Sequence, residues 1–275
     1  MKLFGSKNKK PSQQAYAVVT GAGSGIGRSF ALELARRGGT VVCSDINLEA
    51  AQATVSLIEQ LGATAFSVQC DVAKAEQVSE LAEQAEKLLK NPVTLVINNA
   101  GIGLGGKFDE MTMEDWQWCM DVNLWGVIHG CRAFVPKFKQ LGYGAIINVA
   151  SAASYTAAPE MTVYNVSKAG VRALSETLSA ELKKFDIQVN VLCPTLVPTN
   201  IIKNGKVPHK GILDYALTHL AFTTSDKVAK LTLNRLDRNK LYTIPQFDAK
   251  LFWLMKRTAP NLYAKFLGTS YRLMK

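Results

Sequence analysis

Thr20-Gly21-Ala22-Gly23-Ser24-Gly25-Ile26-Gly27 follows directly on the β-branched run Ala15–Thr20 and opens a segment, Gly25–Arg37, with helical periodicity. Glycines at a strand-to-helix turn permit positive φ and let a backbone come close to a pyrophosphate. The helix that starts there adds unpaired N–H groups and a dipole that favours anions. Gly21, Ser24, Gly25, Ile26 and Gly27 are therefore candidate dinucleotide-binding residues. A glycine-rich run alone is often only a tight turn. Its place at the first strand–helix junction of an alternating chain gives it weight.

The alternation is regular. Apolar runs at Thr40–Asp45, Thr64–Cys70, Val93–Asn98, Ala145–Ala150 and Ile187–Cys193 read as strands. Between them Leu48–Leu61, Lys74–Lys90, Met113–Gln140 and Val163–Phe185 read as helices, with Pro136 expected near the end of the third. Strands joined by helical crossovers build a parallel sheet covered on both faces. The expected fold is α/β: a single doubly wound, Rossmann-like parallel sheet with an extra helical tail. Residues 1–12 read as a basic arm, 13–245 as the nucleotide-binding domain and 246–275 as an amphipathic helical extension. Within the domain, residues 195–224 form a variable segment, in which Pro198, Asn204-Gly205 and Pro208 mark a loop. Ile212–Phe222 and Asp226–Asp237 then read as helices, Leu241–Ile244 as a last strand, and Phe247–Arg257 and Asn261–Leu267 as helices parted by Pro260.

Of the 275 residues, 48% are hydrophobic, enough for a sizeable core. The net charge is +10, and its distribution is uneven: residues 1–198 balance, with 18 Lys and Arg against 18 Asp and Glu, whereas residues 199–275 carry 14 against 4. A basic end of this kind is either a solvated surface or the mark of an anionic partner. The five cysteines (43, 70, 119, 131, 193) include no C-x-x-C pair and read as reduced, buried thiols. The three histidines form no ligand cluster, and no metal is expected. The basic start lacks the apolar core of a signal peptide and no stretch reads as a membrane span, so a cytoplasmic location is expected.

Asp45 ends the second strand, eighteen residues after Gly27. A carboxylate there can accept both hydroxyls of an adenosine ribose and repel a 2′-phosphate, favouring NAD over NADP. Arg28, Arg36 or Arg37 could still reach a phosphate, and Asp45 could instead cap the next helix. Asp71 can meet an adenine amine or cap its own following helix, and Val72 beside it can bind or simply pack. Asn99, Ala100 and Gly101 close the fourth strand, where polar amides suit either a ligand crevice or the stitching of neighbouring strands.

Tyr164 and Lys168 lie one helical turn apart, thirteen and seventeen residues after Ser151. A phenol is a weak acid, with a pKa of roughly 10, and an ammonium within reach lowers it. With T-G-x-x-x-G-x-G, then N-N-A-G, then Y-x-x-x-K in order, the chain from about Ala15 to Thr199 resembles the short-chain dehydrogenase/reductase superfamily. The resemblance implies a catalytic set of Asn123, Ser151, Tyr164 and Lys168. Tyr164 would be the general acid or base and Ser151 would position the substrate oxygen. Lys168 would lower the Tyr164 pKa and hold the nicotinamide ribose. Asn123, in a bent helix, would anchor a relay water. Pro194, Thr195, Val197 and Thr199 would line the nicotinamide, although Thr195 stands where the family has glycine, so the local turn must differ or strain.

The implied reaction interconverts an alcohol and a ketone or aldehyde. Ile201, Ile202, Ile212, Leu213, Leu217 and Phe222 lean the substrate towards the apolar: long-chain, steroid-like or cyclic. The implied assembly is a homodimer through the two long helices or a homotetramer, which the tail would hinder. The alternatives are an NAD-binding redox sensor or scaffold without turnover, and nucleic-acid binding through the tail, which lacks any recognised module. Phe247, Leu251, Phe252, Trp253, Leu254 and Met255 among Lys250, Lys256 and Arg257 fit either peripheral contact with anionic membrane or a helix packed over the substrate cleft.

Overall fold

A computed structural model describes residues 10–197 and 223–273. Seven parallel strands stand in the order β3-β2-β1-β4-β5-β6-β7. They are β1 Tyr16–Thr20, β2 Thr40–Asp45, β3 Ala65–Gln69, β4 Leu95–Asn98, β5 Gly144–Val149, β6 Ile187–Leu192 and β7 Tyr242–Thr243. The helices are α1 Gly25–Arg36, α2 Leu48–Glu59, α3 Ala75–Leu89, α4 Met113–Met120, α5 Gly126–Leu141, α6 Ala153–Thr156 and α7 Thr162–Leu182, followed by α8 Ser225–Leu236, α9 Phe247–Thr258 and α10 Pro260–Leu273. The doubly wound sheet with a helical tail is the fold expected. The helix expected over Ile212–Phe222, and with it Thr199 and the apolar residues of the variable segment, lies outside the described residues.

Alternate residues of each strand feed opposite faces, as a pleat requires. Val18, Val96 and Ile146 join Val78, Leu81, Phe134, Phe138 and Val171 on the face covered by α3, α5 and α7. Ala17, Val19, Leu95, Ile97 and Ile147 join Phe30, Leu34, Ile58, Val228 and Leu233 on the other. Each fully buried large side chain of this kind contributes about 1.5–3 kcal/mol. Both faces are dry, which is why these strands are apolar without alternation.

Strand order reverses between β1 and β4, and their C-terminal ends open a crevice there. The glycine-rich turn closes β1 and Asn98–Gly101 closes β4, so the fold brings both motifs to one edge. Met113–Gln140, expected as one helix, is interrupted by a π turn over Asp121–Trp125, and α5 runs on past Pro136 to Leu141. Ser12, expected in the arm, is fully buried: its N–H and Oγ donate to Asp237 at 2.9 and 2.7 Å. Arg37 Nη1 reaches the same carboxylate at 3.4 Å, tying the start of the fold and the end of α8 to the end of α1.

Candidate active site

The turn after β1 is held from both sides. Gly21 takes φ +63° and Gly25 φ +53°. Asn99 Nδ2 donates to the carbonyls of Thr20 and Gly21 at 2.9 and 3.2 Å, while Thr20 Oγ1 accepts the N–H groups of Asn99 and Ala100. The Asn99 side chain is therefore the stitch between β1 and β4, the second of its two expected roles. The Ser24 side chain makes no cap bond to α1, so it leaves the first-turn N–H groups uncapped.

Asp45 turns towards this loop. Its Oδ2 accepts Gly23 N–H at 2.8 Å and its Oδ1 accepts Asn47 N–H at 3.0 Å. Asn47, not Asp45, caps α2, accepting Ala50 N–H at 3.1 Å. The three arginines that could have served a phosphate are engaged elsewhere. Arg28 donates to the Gly23 carbonyl and to Thr54 Oγ1, Arg36 pairs with Glu33, and Arg37 meets Glu33, Ser12 and Asp237. Asp71 accepts Ala73 N–H at 3.0 Å, and Lys74 occupies the N-cap of α3. Val72 packs: its side chain lies where a Cβ on Gly126 would fall, and its carbonyl meets His129 Nδ1 at 2.9 Å.

Asn123 sits in the π turn, fully buried. Its Oδ1 accepts Ile102 N–H at 2.8 Å, and its Nδ2 donates to the Ile102 carbonyl at 3.0 Å, with Cys119 Sγ and Ser167 Oγ further off. From the sequence Cys119 reads only as a buried thiol and Ser167 has no role; the four-residue spacing from Cys119 to Asn123 is the signal that could have joined the first to the site. A Cβ on Gly101 would stand 3.0 Å from Asn123 Oδ1 and 3.3 Å from Lys168 Nζ, so Gly101 is the gap through which the two groups approach.

Lys168 is buried and donates to the Val149 carbonyl at 2.9 Å, with its Nζ 5.9 Å from the Tyr164 ring centroid. Ser151, at the end of β5, donates to the Pro194 carbonyl at 3.3 Å and accepts Ala153 N–H at 3.1 Å. Of the neighbouring side chains, the Ser151 hydroxyl is the one that favours the charged form of the Tyr164 phenol. The four residues thus converge beside the crevice.

The electrostatics correct one expectation. Burial pushes the Tyr164 phenol up to about 12, offset only in part by the Ser151 hydroxyl. Burial also pulls Lys168 down to about 8. Lys168 was expected to lower Tyr164, but burial disfavours the charged form of each group and is the largest cause of both shifts. The resting phenol is firmly protonated.

The loop after β6 decides between the two outcomes expected at Thr195. Thr195 avoids positive φ. Its N–H donates to Gln246 Oε1 at 3.2 Å and its Oγ1 to Asp248 Oδ1 at 3.4 Å, so the turn differs from the family pattern rather than straining. Nothing in the sequence around Gln246 announced this contact across 51 residues. Val197 is buried in the core. Thr199 lies outside the described residues.

The five buried thiols set a pH limit. Burial raises Cys43, Cys131 and Cys193 to about 12 and Cys70 to about 11, and raises Cys119 as well. A raised folded pKa leaves stability intact below the unfolded value, 9.0 for these thiols, and removes it as pH rises through the folded value. Lys168 acts in the opposite sense, adding stability as pH rises from about 8 towards its ordinary value of 10.5. One group opposes five, so the thermal midpoint should fall by at least roughly 5 °C between about pH 9 and pH 11. A flat or rising midpoint by calorimetry would refute this.

The family model for short chain dehydrogenase matches residues 15–207. SadH of Mycobacterium tuberculosis, an oxidoreductase by name, is 31% identical over 262 residues, covering 93% of this chain and 92% of its own. The 7alpha-hydroxysteroid dehydrogenase of Escherichia coli is 34% identical over 206 residues, covering 75% and 80%. A short-chain dehydrogenase/reductase from Burkholderia phymatum in complex with NAD superposes with TM-score 0.86 at 31% identity, covering 92% of this chain and 96% of its own. One from Sphingobium yanoikuyae in complex with NADPH superposes with TM-score 0.74 at 25% identity, covering 94% of each. Motif order, sheet order and relatives agree: the chain belongs to the short-chain dehydrogenase family.

Proposed function

We propose that the chain is an NAD-dependent dehydrogenase that interconverts an apolar alcohol and its ketone or aldehyde. The observation that carries this reading is the convergence of Ser151, Tyr164, Lys168 and Asn123 beside the crevice that the glycine-rich turn opens. When bound, the dinucleotide supplies or accepts the hydride. The residues suit it: a glycine turn with small side chains, the open N-terminus of α1 for the pyrophosphate, and the Asp45 carboxylate for a ribose diol.

Tyr164 would hold a proton against the substrate oxygen, donating it as charge builds there in reduction and removing it in oxidation. Ser151 would fix that oxygen. Lys168 would present its ammonium to the ribose hydroxyls. Asn123 would pin Ile102, with the π turn leaving a main-chain carbonyl for a relay water. At neutral pH the phenol carries the proton that reduction consumes, so reduction needs no prior proton loss. An apolar substrate is supported by the apolar variable segment and by the hydroxysteroid dehydrogenase among the relatives.

A homodimer is the assembly we favour. Met113, Trp118, Trp125 and Val166 leave large apolar surface exposed along α4, the π turn and α7.

For the cofactor, a carboxylate at 45 and three engaged arginines support NAD. Replacing Asp45 with Asn keeps the shape and removes the repulsion of a 2′-phosphate. The ratio of kcat/KM with NAD to that with NADP should then fall by about tenfold, or about 1.4 kcal/mol. A wild-type preference for NADP would sink the assignment. Turnover screened over alcohols and ketones graded by size and polarity tests the substrate class, and preference for small polar substrates would overturn it.

A further inference from the structure

We infer that α9 and α10 form a docking surface for anionic lipid bilayers. The sequence allowed the tail either to cover the fold or to meet a membrane, and the geometry lets it do both with opposite faces. Inward, Ala249 is fully buried, Tyr263 nearly so, and Phe252 and Trp253 pack against the core. Tyr155 Oη donates to the Ala249 carbonyl at 3.1 Å and Tyr263 Oη to the Thr156 carbonyl at 3.0 Å, fixing the tail on α6.

Outward, each helix presents an apolar stripe. On α9, Phe247, Leu251 and Leu254 are 79%, 45% and 54% exposed, and at about 100° per residue they share an arc of about 60°. On α10, Leu262, Phe266 and Leu273 are 68%, 51% and 78% exposed, within about 40° of arc. The flanks match as well. Lys250 and Arg257 border the first stripe about 40–60° beyond its edge, and Lys265 and Arg272 border the second about 60–80° beyond its edge. All four cations are exposed.

A stripe of exposed leucine and phenylalanine edged by cations is the pattern of a helix lying in a membrane interface. Charge decides the occupant. Residues 246–275 carry six Lys and Arg against one Asp, and that Asp248 already accepts Thr195 Oγ1. A second copy of this chain would bring like charge against like. An anionic headgroup layer supplies the opposite charge and an acyl boundary for the stripes together. The tail rests on α6, which follows Ser151, so docking would hold the crevice at the bilayer. Delivery of an apolar substrate from lipid rests on the catalytic reading above; the docking itself does not.

The full-length protein is mixed with vesicles of equal parts phosphatidylglycerol and phosphatidylcholine, or of phosphatidylcholine alone, and sedimented at low salt. Binding should be at least about tenfold stronger to the anionic vesicles and should weaken with added salt. The pair Leu251→Asp with Phe266→Asp, and separately the pair Lys250→Glu with Lys265→Glu, should each abolish it. Both pairs should keep the wild-type melting temperature and turnover of a water-soluble alcohol. Equal or absent binding to the two vesicles would overturn the inference. So would binding that survives both pairs, or pairs that instead break a dimer in solution. Sedimentation is read without turnover, so its failure leaves the catalytic proposal standing, and lost turnover leaves the docking result standing.

Discussion

Tyr164→Phe should lower turnover by about a thousandfold while leaving NADH binding within about twofold of wild type. The substitution removes one oxygen from a buried ring and keeps its volume. The lost hydroxyl is the proposed proton donor, and among the described residues no other phenol or imidazole belongs to the set of Asn123, Ser151, Tyr164 and Lys168. Lys168 keeps its bond to the Val149 carbonyl, because that bond does not pass through Tyr164. Steady-state rates and a fluorescence titration with NADH check the two halves separately. Loss of both would mean that Tyr164 is a structural residue. Retention of both would place the proton donor elsewhere.

Gly27→Ala should remove cofactor binding altogether and cost about 3 kcal/mol of stability. A Cβ on Gly27 would fall 2.1 Å from the Gly21 carbonyl oxygen and 2.5 Å from Asn99 Nδ2. The first is backbone and cannot rotate away. The second belongs to the amide that holds the end of β1 and its turn to β4, so yielding there undoes the turn. Gly268→Ala is the contrasting case. Nothing lies within 4 Å of the added methyl on α10, and alanine should stabilise that helix by up to about 1 kcal/mol. The same chemical change is thus expected to act with opposite sign at the two positions. Chemical denaturation of both variants measures the difference, and equal effects would contradict the packing argument.

What the sequence made legible is what local pattern encodes. The glycine-rich turn, the alternation that forces a parallel sheet, and the Tyr164–Lys168 spacing all state their geometry within a few residues. Asn98–Gly101 could be placed at the crevice but not assigned a role, because whether Asn99 turns to a ligand or to Thr20 depends on a strand 79 residues away. The π turn at Asn123 was invisible to periodicity, since an extra residue in one turn leaves the apolar spacing of Met113–Gln140 nearly unchanged. Helix α6 was missed because four residues carry no period. The direction of the Tyr164 shift differs from the one expected because a sequence shows the neighbouring charge but not the burial. The tail's double character was legible only as two alternatives, since the inward contacts of Ala249 and Tyr263 span roughly a hundred residues.

Label transfer tests the central claim most directly. The protein is incubated with NADH carrying deuterium at both positions of the reactive carbon and with a bulky cyclic or long-chain ketone, and the alcohol formed is examined by mass spectrometry. The proposed chemistry predicts one deuterium at the carbinol carbon of the wild-type product and almost no product from Tyr164→Phe. Tight NADH binding with no labelled alcohol from any ketone across the size range would contradict it.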